Sequence, residues 1–345
     1  MLRTLRLLAI CCFTTTSSPV ASADDAVVRV VDTGPGLCCA IMVPGDDGPH
    51  YAIYDAGHYR RRGAVAFQGI QEVIPAGSVI DLMVLSHSDA DHLGAVKRIC
   101  DAYTVKRVVR PGWYGERRGG EPTGTWTRAD RAIGREVRDE GCVDIQLSQQ
   151  ELPPGSTYRV GNGFMTIICG FAEPPAELEL SGRSERNNGG SIITRLLYEG
   201  RSMMFCGDAV GRHNGDPPDA LLGTERFALE YAAVIDLDSD VMVAAHHGAD
   251  NGSSTAFIAA VDPRFVIFSA GHEYEHPRFT TYRRFLAHGE GQIEFFRTDR
   301  GDHEGGRDWW DAEEFTEDEP GDDDIIVTLP GVLGEEISVE YANPE

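Results

Sequence analysis

Residues 85–94 read Leu-Ser-His-Ser-Asp-Ala-Asp-His-Leu-Gly. His87, Asp89, Asp91 and His92 fall within six positions, directly after the apolar run Leu82, Met83, Val84 and Leu85. Ionisable and coordinating side chains at this density repel and desolvate one another unless a cation sits among them. The pattern therefore points to metal-assisted chemistry on nitrogen and oxygen donors. A single His or Asp here would read as an ordinary polar loop. Downstream, Leu93, Val96, Ile99 and Cys100 recur at helical spacing, so the cluster sits where a buried strand turns into a helix.

Four further segments share this design. Tyr54-Asp55-Ala56-Gly57 and Phe205-Cys206-Gly207-Asp208-Ala209 end apolar runs in a carboxylate, Ala245-His246-His247-Gly248 ends one in two histidines, and Asn187-Asn188-Gly189-Gly190-Ser191 opens one. Each places polar groups where a buried strand emerges, the usual place for a site between sheets.

The elements that must position these groups follow from periodicity and punctuation. Strands are expected over 27–32, 38–43, 51–56, 81–86, 105–109 and 145–147, with helices near 64–73, up to Cys100, and over 129–138. The second half repeats the style. Strands are expected at 165–169, 192–197, 202–206, 241–245, 266–269 and 293–296, with helices near 225–233 and 282–287. Segments 325–329 and 337–341 read as a closing hairpin. Strands in runs with helices between them predict an α/β (α+β) chain: two mixed sheets face to face with helices outside, a four-layer αββα sandwich. Residues 111–124 form a long Gly-rich loop carrying Trp113 and Tyr114, whose length suggests a rim over a site.

The chain has 345 residues, ample to bury a sizeable core, and 41% apolar and 25% charged residues mark it as globular. Residues 1–23 read as a signal peptide: basic Arg3 and Arg6, an apolar run over 7–13, and an Ala21-Ser22-Ala23 cleavage site. The expected organisation is a leader (1–23) and one mature domain (24–345), with an Asp/Glu/Gly-rich acidic segment at about 302–324 that is either disordered or an exposed insertion. The protein is then secreted or periplasmic, and no stretch after the leader is long and apolar enough to span a bilayer. A net charge of −24 argues against a general polyanion binder, so nucleic acid is a disfavoured partner on charge alone. Beyond the leader stand Cys38, Cys39, Cys100, Cys142, Cys169 and Cys206. An oxidising compartment makes Cys100 and Cys142 the best candidate pair, while adjacent Cys38 and Cys39 face opposite sides of a strand.

Taken together, these segments resemble the metallo-β-lactamase superfamily, and more closely its competence-type, ComEC-like branch. The superfamily hallmark H-x-H-x-D-H stands here as His87-Ser88-Asp89-Ala90-Asp91-His92, with Asp in place of the second His, as is typical of that branch. Asp32-Thr33-Gly34-Pro35-Gly36, the Asp-Ala-Gly, the Asn-rich turn, the Gly-Asp-Ala and the His-His-Gly match it too. So do Tyr274-Glu275-His276-Pro277 and Arg297-Thr298-Asp299. The resemblance implies two divalent cations, Zn²⁺ or Mn²⁺ with Mg²⁺ as a further candidate. His87 and Asp89 would hold the first, Asp91 and His92 the second. Asp208 would bridge them and His246 would close a shell, with His247 as the alternative ligand or a proton donor. Asn188 stands near the place of a missing third His. Hydroxide generated between the metals would attack a phosphorus or carbonyl centre. Asp91 would orient the nucleophile, and His247 or His276 would protonate the leaving group. Asn188, Trp113 and Tyr114 are the expected substrate-binding residues. The first reading is an exported phosphodiesterase, nuclease-like. The alternatives are a hydrolase of a small ester, lactone or β-lactam, and a non-catalytic binding module that kept the fold.

Overall fold

The computed structural model describes residues 24–117, 120–271, 274, 276–289, 291–299 and 323–343. The expected leader, residues 302–322 of the acidic insertion, and His272 lie outside them.

Three strands, β1 (Ala26–Val30), β2 (Cys39–Gly45) and β3 (Gly48–Tyr54), form an antiparallel meander. Crossovers then alternate with short buried strands. The order is α1 (Ala64–Gln71), β4 (Val79–Val84), α2 (Val96–Ala102), β5 (Thr104–Val105), β6 (Arg107–Arg110), α3 (Gly124–Asp139) and β7 (Val143–Gln146). Strands β3, β4, β6 and β7 pair in parallel, as helical crossovers require. The second half begins with the hairpin β8 (Thr157–Val160) and β9 (Gly163–Cys169). After α4 (Gly182–Asn188) come β10 (Ile193–Tyr198) and β11 (Arg201–Phe205), still antiparallel. It then turns parallel through α5 (Gly223–Glu230), β12 (Val241–Val243), α6 (Thr255–Val261), β13 (Phe265–Phe268), α7 (Phe279–Gly289) and β14 (Glu294–Arg297). Finally β15 (Ile325–Leu329) returns to pair with β1 and forms the expected closing hairpin with β16 (Ser338–Tyr341).

Among the described residues this gives a nine-stranded sheet, ordered β16-β15-β1-β2-β3-β4-β6-β7 with β5 beside β4, and a seven-stranded sheet, β14-β13-β12-β11-β10-β9-β8. Side-chain alternation divides the core into three layers. Leu82 and Val84 of β4 face the second sheet, where they join Met203, Phe205, Val241 and Val243. Ile80 and Met83 face the other way, toward Ile70, Val96, Ile99 and Ile133 of the first helical layer. Behind the second sheet, Met242 and Val266 pack on Phe257, Ile258 and Phe285. The chain is therefore the four-layer αββα sandwich expected from its pattern. Each fully buried Val, Leu, Ile or Phe contributes roughly 1.5–3 kcal/mol, so the three layers together dominate stability.

Two expectations change. Cys100 and Cys142 share the first helical layer, yet both are free thiols, as are the other four described cysteines. Helix α4 is not among the expected elements: it covers Gly182–Asn188 and leads into the Asn-rich turn, and its residues are polar on every face, so no periodicity announces it. Cys38 and Cys39 do face opposite layers.

The sandwich brings one set of strand ends to a common edge. Tyr54 at the end of β3 donates its hydroxyl to the Ile192 carbonyl at 2.7 Å, and Ile192 N donates to the Ser86 carbonyl at 2.9 Å. The carboxyl ends of β3 and β4 thus meet the entry to β10, beside the ends of β11 and β12.

Candidate metal centre

The first sheet supplies a folded loop. Asp55 follows β3 with φ 57°, a left-handed conformation that Asp tolerates better than most residues. This turns its carboxylate, which is fully buried, back under the next strand end. There it accepts from Ser86 N at 2.7 Å, Ser86 Oγ at 2.6 Å and His92 Nδ1 at 2.8 Å. The chain from Ser88 to Ala95 curls over this carboxylate, with Ala56 N and Gly94 N donating to the carbonyls of His92 and Gly57 at 2.8 Å. Gly94 has to be glycine: a Cβ there would lie 2.3 Å from the His58 carbonyl oxygen.

The second sheet supplies the opposing groups. Asp208 follows β11 and is fixed by its amide donating to Ser191 Oγ at 3.0 Å. After β12, His246 and His247 both take left-handed φ values, 51° and 55°. The two rings stand 6.1 Å apart, tilted by 59°. His247 Nδ1 donates to the Ser269 carbonyl at 2.6 Å, and His246 Nδ1 pairs with Asn251 Oδ1 at 2.7 Å.

Asp208 is the centre of the arrangement. Its Oδ1 lies 3.2 Å from His92 Nε2 and 3.3 Å from His247 Nε2, and its Oδ2 lies 3.6 Å from the Nε2 atoms of both His87 and His246. Asp91 Oδ2 approaches His247 Nε2 at 3.9 Å and His92 Nε2 at 4.0 Å. His87, His92 and Asp208 bring donor atoms within 4.8 Å of one another, as do Asp91, His92 and His247.

The hydrogen bonds behind the rings decide what faces inward. With Ser86 Oγ donating to Asp55, His87 Nδ1 donates to that oxygen at 3.0 Å. In His87, His92, His246 and His247 alike, Nδ1 is turned to a partner behind the ring and Nε2 faces the carboxylate, with His92 Nε2 3.3 Å from His247 Nε2 and His246 Nε2 3.0 Å from Asn188 Nδ2. Lone pairs and carboxylate oxygens face each other with few protons between them. Accordingly His87 Nε2, Asp208 Oδ1 and Asn188 Oδ1 are buried and make no hydrogen bond. Such groups are costly to bury unless something positive accepts them. Imidazole and carboxylate donors in this number suit a divalent cation of the Zn²⁺ or Mn²⁺ kind.

The electrostatics agree. Burial pulls the His92 pKa down, but Asp208 and Asp55 outweigh it and hold the pKa well above that of a free imidazole. The same negative potential that attracts a proton there would attract a metal ion. Burial pushes the His87 and His247 pKa values down. It would push Asp208 up, yet the four surrounding imidazoles keep this carboxylate well below the usual range.

The expected site residues separate in space. His87, Asp91, His92 and Asp208 converge. His247 joins them, whereas His246 lies outside both donor groups and accepts from Asn188 Nδ2 at 3.0 Å. His246 Nε2 nonetheless lies as near Asp208 Oδ2 as His87 Nε2 does, at 3.6 Å. Asp89 also lies outside the donor groups: its carboxylate pairs with Arg117 at 2.7 Å, and Arg117 further donates to the Ser88 carbonyl. His276 sits 5.7 Å ring to ring from His246, and burial, with help from His246 and His247, lowers its pKa to about 3. Trp113 lines a small gap with His87 and Ser88. Tyr114 instead packs edge-on against Trp126 and donates to the Gly120 carbonyl, tying down the loop. Asp55, Ser86, Asn251 and Ser269 act behind the donors; the Asp-Ala-Gly at the end of an apolar run was the one sequence signal for any of them.

The family model of the metallo-β-lactamase superfamily matches residues 43–169, the stretch that carries the first-sheet half of this cluster. Competence protein ComA of Neisseria gonorrhoeae is 25% identical over 280 residues, covering 80% of this chain and 31% of that protein. Residues 43–169 thus resemble the metallo-β-lactamase superfamily. Within it, the chain resembles the competence-type branch. Recombination protein 2 of Haemophilus influenzae is 24% identical over 280 residues, 79% of this chain and 28% of its own length. ComE operon protein 3 of Bacillus subtilis is 23% identical over 223 residues, 64% of this chain and 24% of its own length. The chain thus spans under a third of each of these relatives. Among solved structures, the metallo-β-lactamase fold protein YhfI from Bacillus subtilis aligns with a TM-score of 0.44 at 10% identity, covering 79% of this chain and 96% of that one. No helix among the described residues is long and apolar enough to cross a membrane.

Proposed function

We propose that the chain is an exported, metal-dependent hydrolase that cleaves phosphodiesters in a nuclease-like manner. The observation that carries this is the convergence of His87, Asp91, His92, His247 and Asp208 with lone pairs inward and buried acceptors unmatched. These residues would hold two divalent cations, Zn²⁺ or Mn²⁺ with Mg²⁺ as the third candidate, and the two Asp208 oxygens each face a different pair of rings. Cations bound there would make a water nucleophilic at neutral pH and polarise the scissile group.

The chain's own residues do the remaining work. Asp55 and the Ser269 carbonyl lock the His92 and His247 rings in one tautomer and orientation. Asn188 presents an unpaired carbonyl oxygen at the edge of the cluster, a natural acceptor for a substrate donor. Arg117 holds Asp89 and brings a guanidinium to the Ser88 backbone, a charge suited to a phosphate oxygen. Relatives named for competence and recombination favour a nucleic-acid phosphodiester over a carboxylic ester. The net charge of −24 favours the opposite, a small substrate such as an ester, lactone or β-lactam, and limits any nucleic acid to a short segment at the site. The basic start, short apolar run and Ala-Ser-Ala of residues 1–23 support export.

Two measurements test the reading. Elemental analysis of the purified protein is expected to find a divalent metal, and bis-p-nitrophenyl phosphate is expected to be cleaved with added Mn²⁺ or Zn²⁺. Turnover of lactones or β-lactams without phosphodiester cleavage would move the assignment to the second substrate class. Absence of bound metal, with Asp208→Ala leaving thermal stability unchanged, would defeat the enzyme reading altogether.

A further inference from the structure

A second feature opens on the same edge of the sandwich. A cleft of about 680 Å³ lies between the ends of β7 and β9, lined by Trp113, Phe171, Phe227 and Tyr231, with Glu151 and Glu173 along it. Its volume falls in the range of small-molecule sites. Two of its wall residues tie it to segments that carry the donor cluster. Trp113 faces the cleft and also the gap beside His87 and Ser88. Phe171, at the far wall, donates its amide to the Gly190 carbonyl at 3.1 Å, two residues from Asn188. A molecule whose reacting group sits at Asp208 would have its next group carried past Trp113 into this space.

The lining specifies the chemistry of that group. Phe171 and Phe227 meet edge to face at 4.9 Å, and Phe227 and Tyr231 lie tilted at 5.1 Å. Phe227 and Tyr231 are four residues apart around α5, so they share one helix face. All four aromatic residues are half-buried, leaving ring surface facing the opening. Flat π-surfaces suit a planar ring. The two carboxylates repel a phosphate from the cleft but accept hydrogen bonds from ring amino and imino groups. Charge therefore sorts a nucleotide in one sense: phosphate at the cluster, base in the cleft.

We propose that this cleft is a nucleobase subsite, taking the planar, N–H-bearing ring attached to the phosphodiester cleaved at the cluster. The inference rests on the phosphodiesterase reading for its second group, yet the cleft can be tested without it. Adenosine and D-ribose are titrated into the full-length protein by ligand-observed NMR and calorimetry. Adenosine is expected to bind and ribose not. Phe227→Ala should weaken adenosine by about 10-fold, the scale of one lost base–aromatic stack, whereas Phe227→Tyr should retain it. A melting temperature close to wild type certifies that Phe227→Ala is folded, and Tyr231→Ala replaces it if it is not. Adenosine binding no better than ribose, or equal affinity in folded Phe227→Ala, overturns the proposal, as does preferential binding of an aliphatic probe such as octanoate. In metal-loaded protein, Phe227→Ala should raise KM for a dinucleoside monophosphate and leave cleavage of its abasic analogue unchanged. If neither compound is cleaved while adenosine still binds, the phosphodiesterase reading fails and the ring subsite stands.

Discussion

Asp55 offers the sharpest test of how the donor cluster is built. Its carboxylate never faces the cluster interior, yet it accepts from Ser86 N, Ser86 Oγ and His92 Nδ1. Asp55→Asn keeps the size and tolerates the left-handed φ of 57°, so the backbone is expected to hold. The amide cannot satisfy all three donors. With its NH₂ at the Oδ2 position, it meets Ser86 Oγ–H and His92 Nδ1–H. The hydroxyl can rotate to accept. His92 can accept only as the other tautomer, with its proton moved to Nε2, where it occupies the lone pair aimed at Asp208. With the amide flipped, the NH₂ meets the Ser86 backbone N–H, which cannot change role. Either arrangement strands one buried donor, worth about 1–3 kcal/mol, or spends the coordinating lone pair of His92. Loss of such a supporting carboxylate typically lowers metal affinity by about 10–100-fold. Competition against a chromogenic chelator for Zn²⁺ reads the affinity, and a thermal melt in chelator reads the metal-free fold. Metal affinity within about twofold of wild type, the scatter of such measurements, would refute the tautomer argument.

Three further expectations follow from buried groups elsewhere. Burial alone would raise the Asp250 pKa, but hydrogen bonds from Gly215, Thr280 and Arg284, with Arg212 alongside, hold it at about 2 against an ordinary 3.8. A depressed carboxylate contributes stability above its unfolded pKa and loses it as pH falls through the folded value. Wild type should thus lose about 2 kcal/mol as pH drops from near 4 toward 2, and Asp250→Asn should lack this limb; parallel acid melts would contradict the assignment. Tyr54→Phe removes the hydroxyl that donates to the buried Ile192 carbonyl across the two sheets, and should cost about 1–3 kcal/mol in urea denaturation, an unchanged midpoint being the adverse result. All six described cysteines are buried and free, and burial pushes the Cys142 thiol up to about 11. The folded protein should resist a thiol reagent, and all six should react once it is denatured without reductant; two missing thiols would revive the Cys100–Cys142 bridge.

The layered fold was readable because its signals are local and repeated. Short apolar runs ending in Gly, Asp or His mark strand ends, and alternation within them assigns faces, as with Cys38 and Cys39. The first-sheet donors were readable for the same reason: His87, Asp91 and His92 share one loop. What escaped depends on contacts between distant segments or on backbone curl. Asp89 is diverted by Arg117, 28 residues away. His246 and His247 both take left-handed φ values and only His247 falls in a donor group, a placement that side-chain types alone do not announce. Helix α4 has no apolar stripe to betray it. The β8–β9 hairpin, by contrast, had a signal: Gly161-Asn162 is a two-residue turn between Val160 and Gly163, with Gly161 at φ 55°.

The position of Asp208 explains why fold and site are not independent here. His87, Asp91 and His92 belong to the first sheet, and Asp208 and His247 to the second. Closing the sandwich forces inward lone pairs and carboxylates from both sides into one buried volume. Without a cation that apposition opposes the packing of the central core; a cation held there would add a bond across it. Ligand that binds only the folded state stabilises it by mass action, so metal affinity and sheet-to-sheet cohesion are two readings of one interaction. The Tyr54–Ile192 and Ile192–Ser86 hydrogen bonds hold the same edge closed by neutral contacts. At that edge each of the two donor groups is gathered within 4.8 Å, the preorganisation that a metal bound there would require.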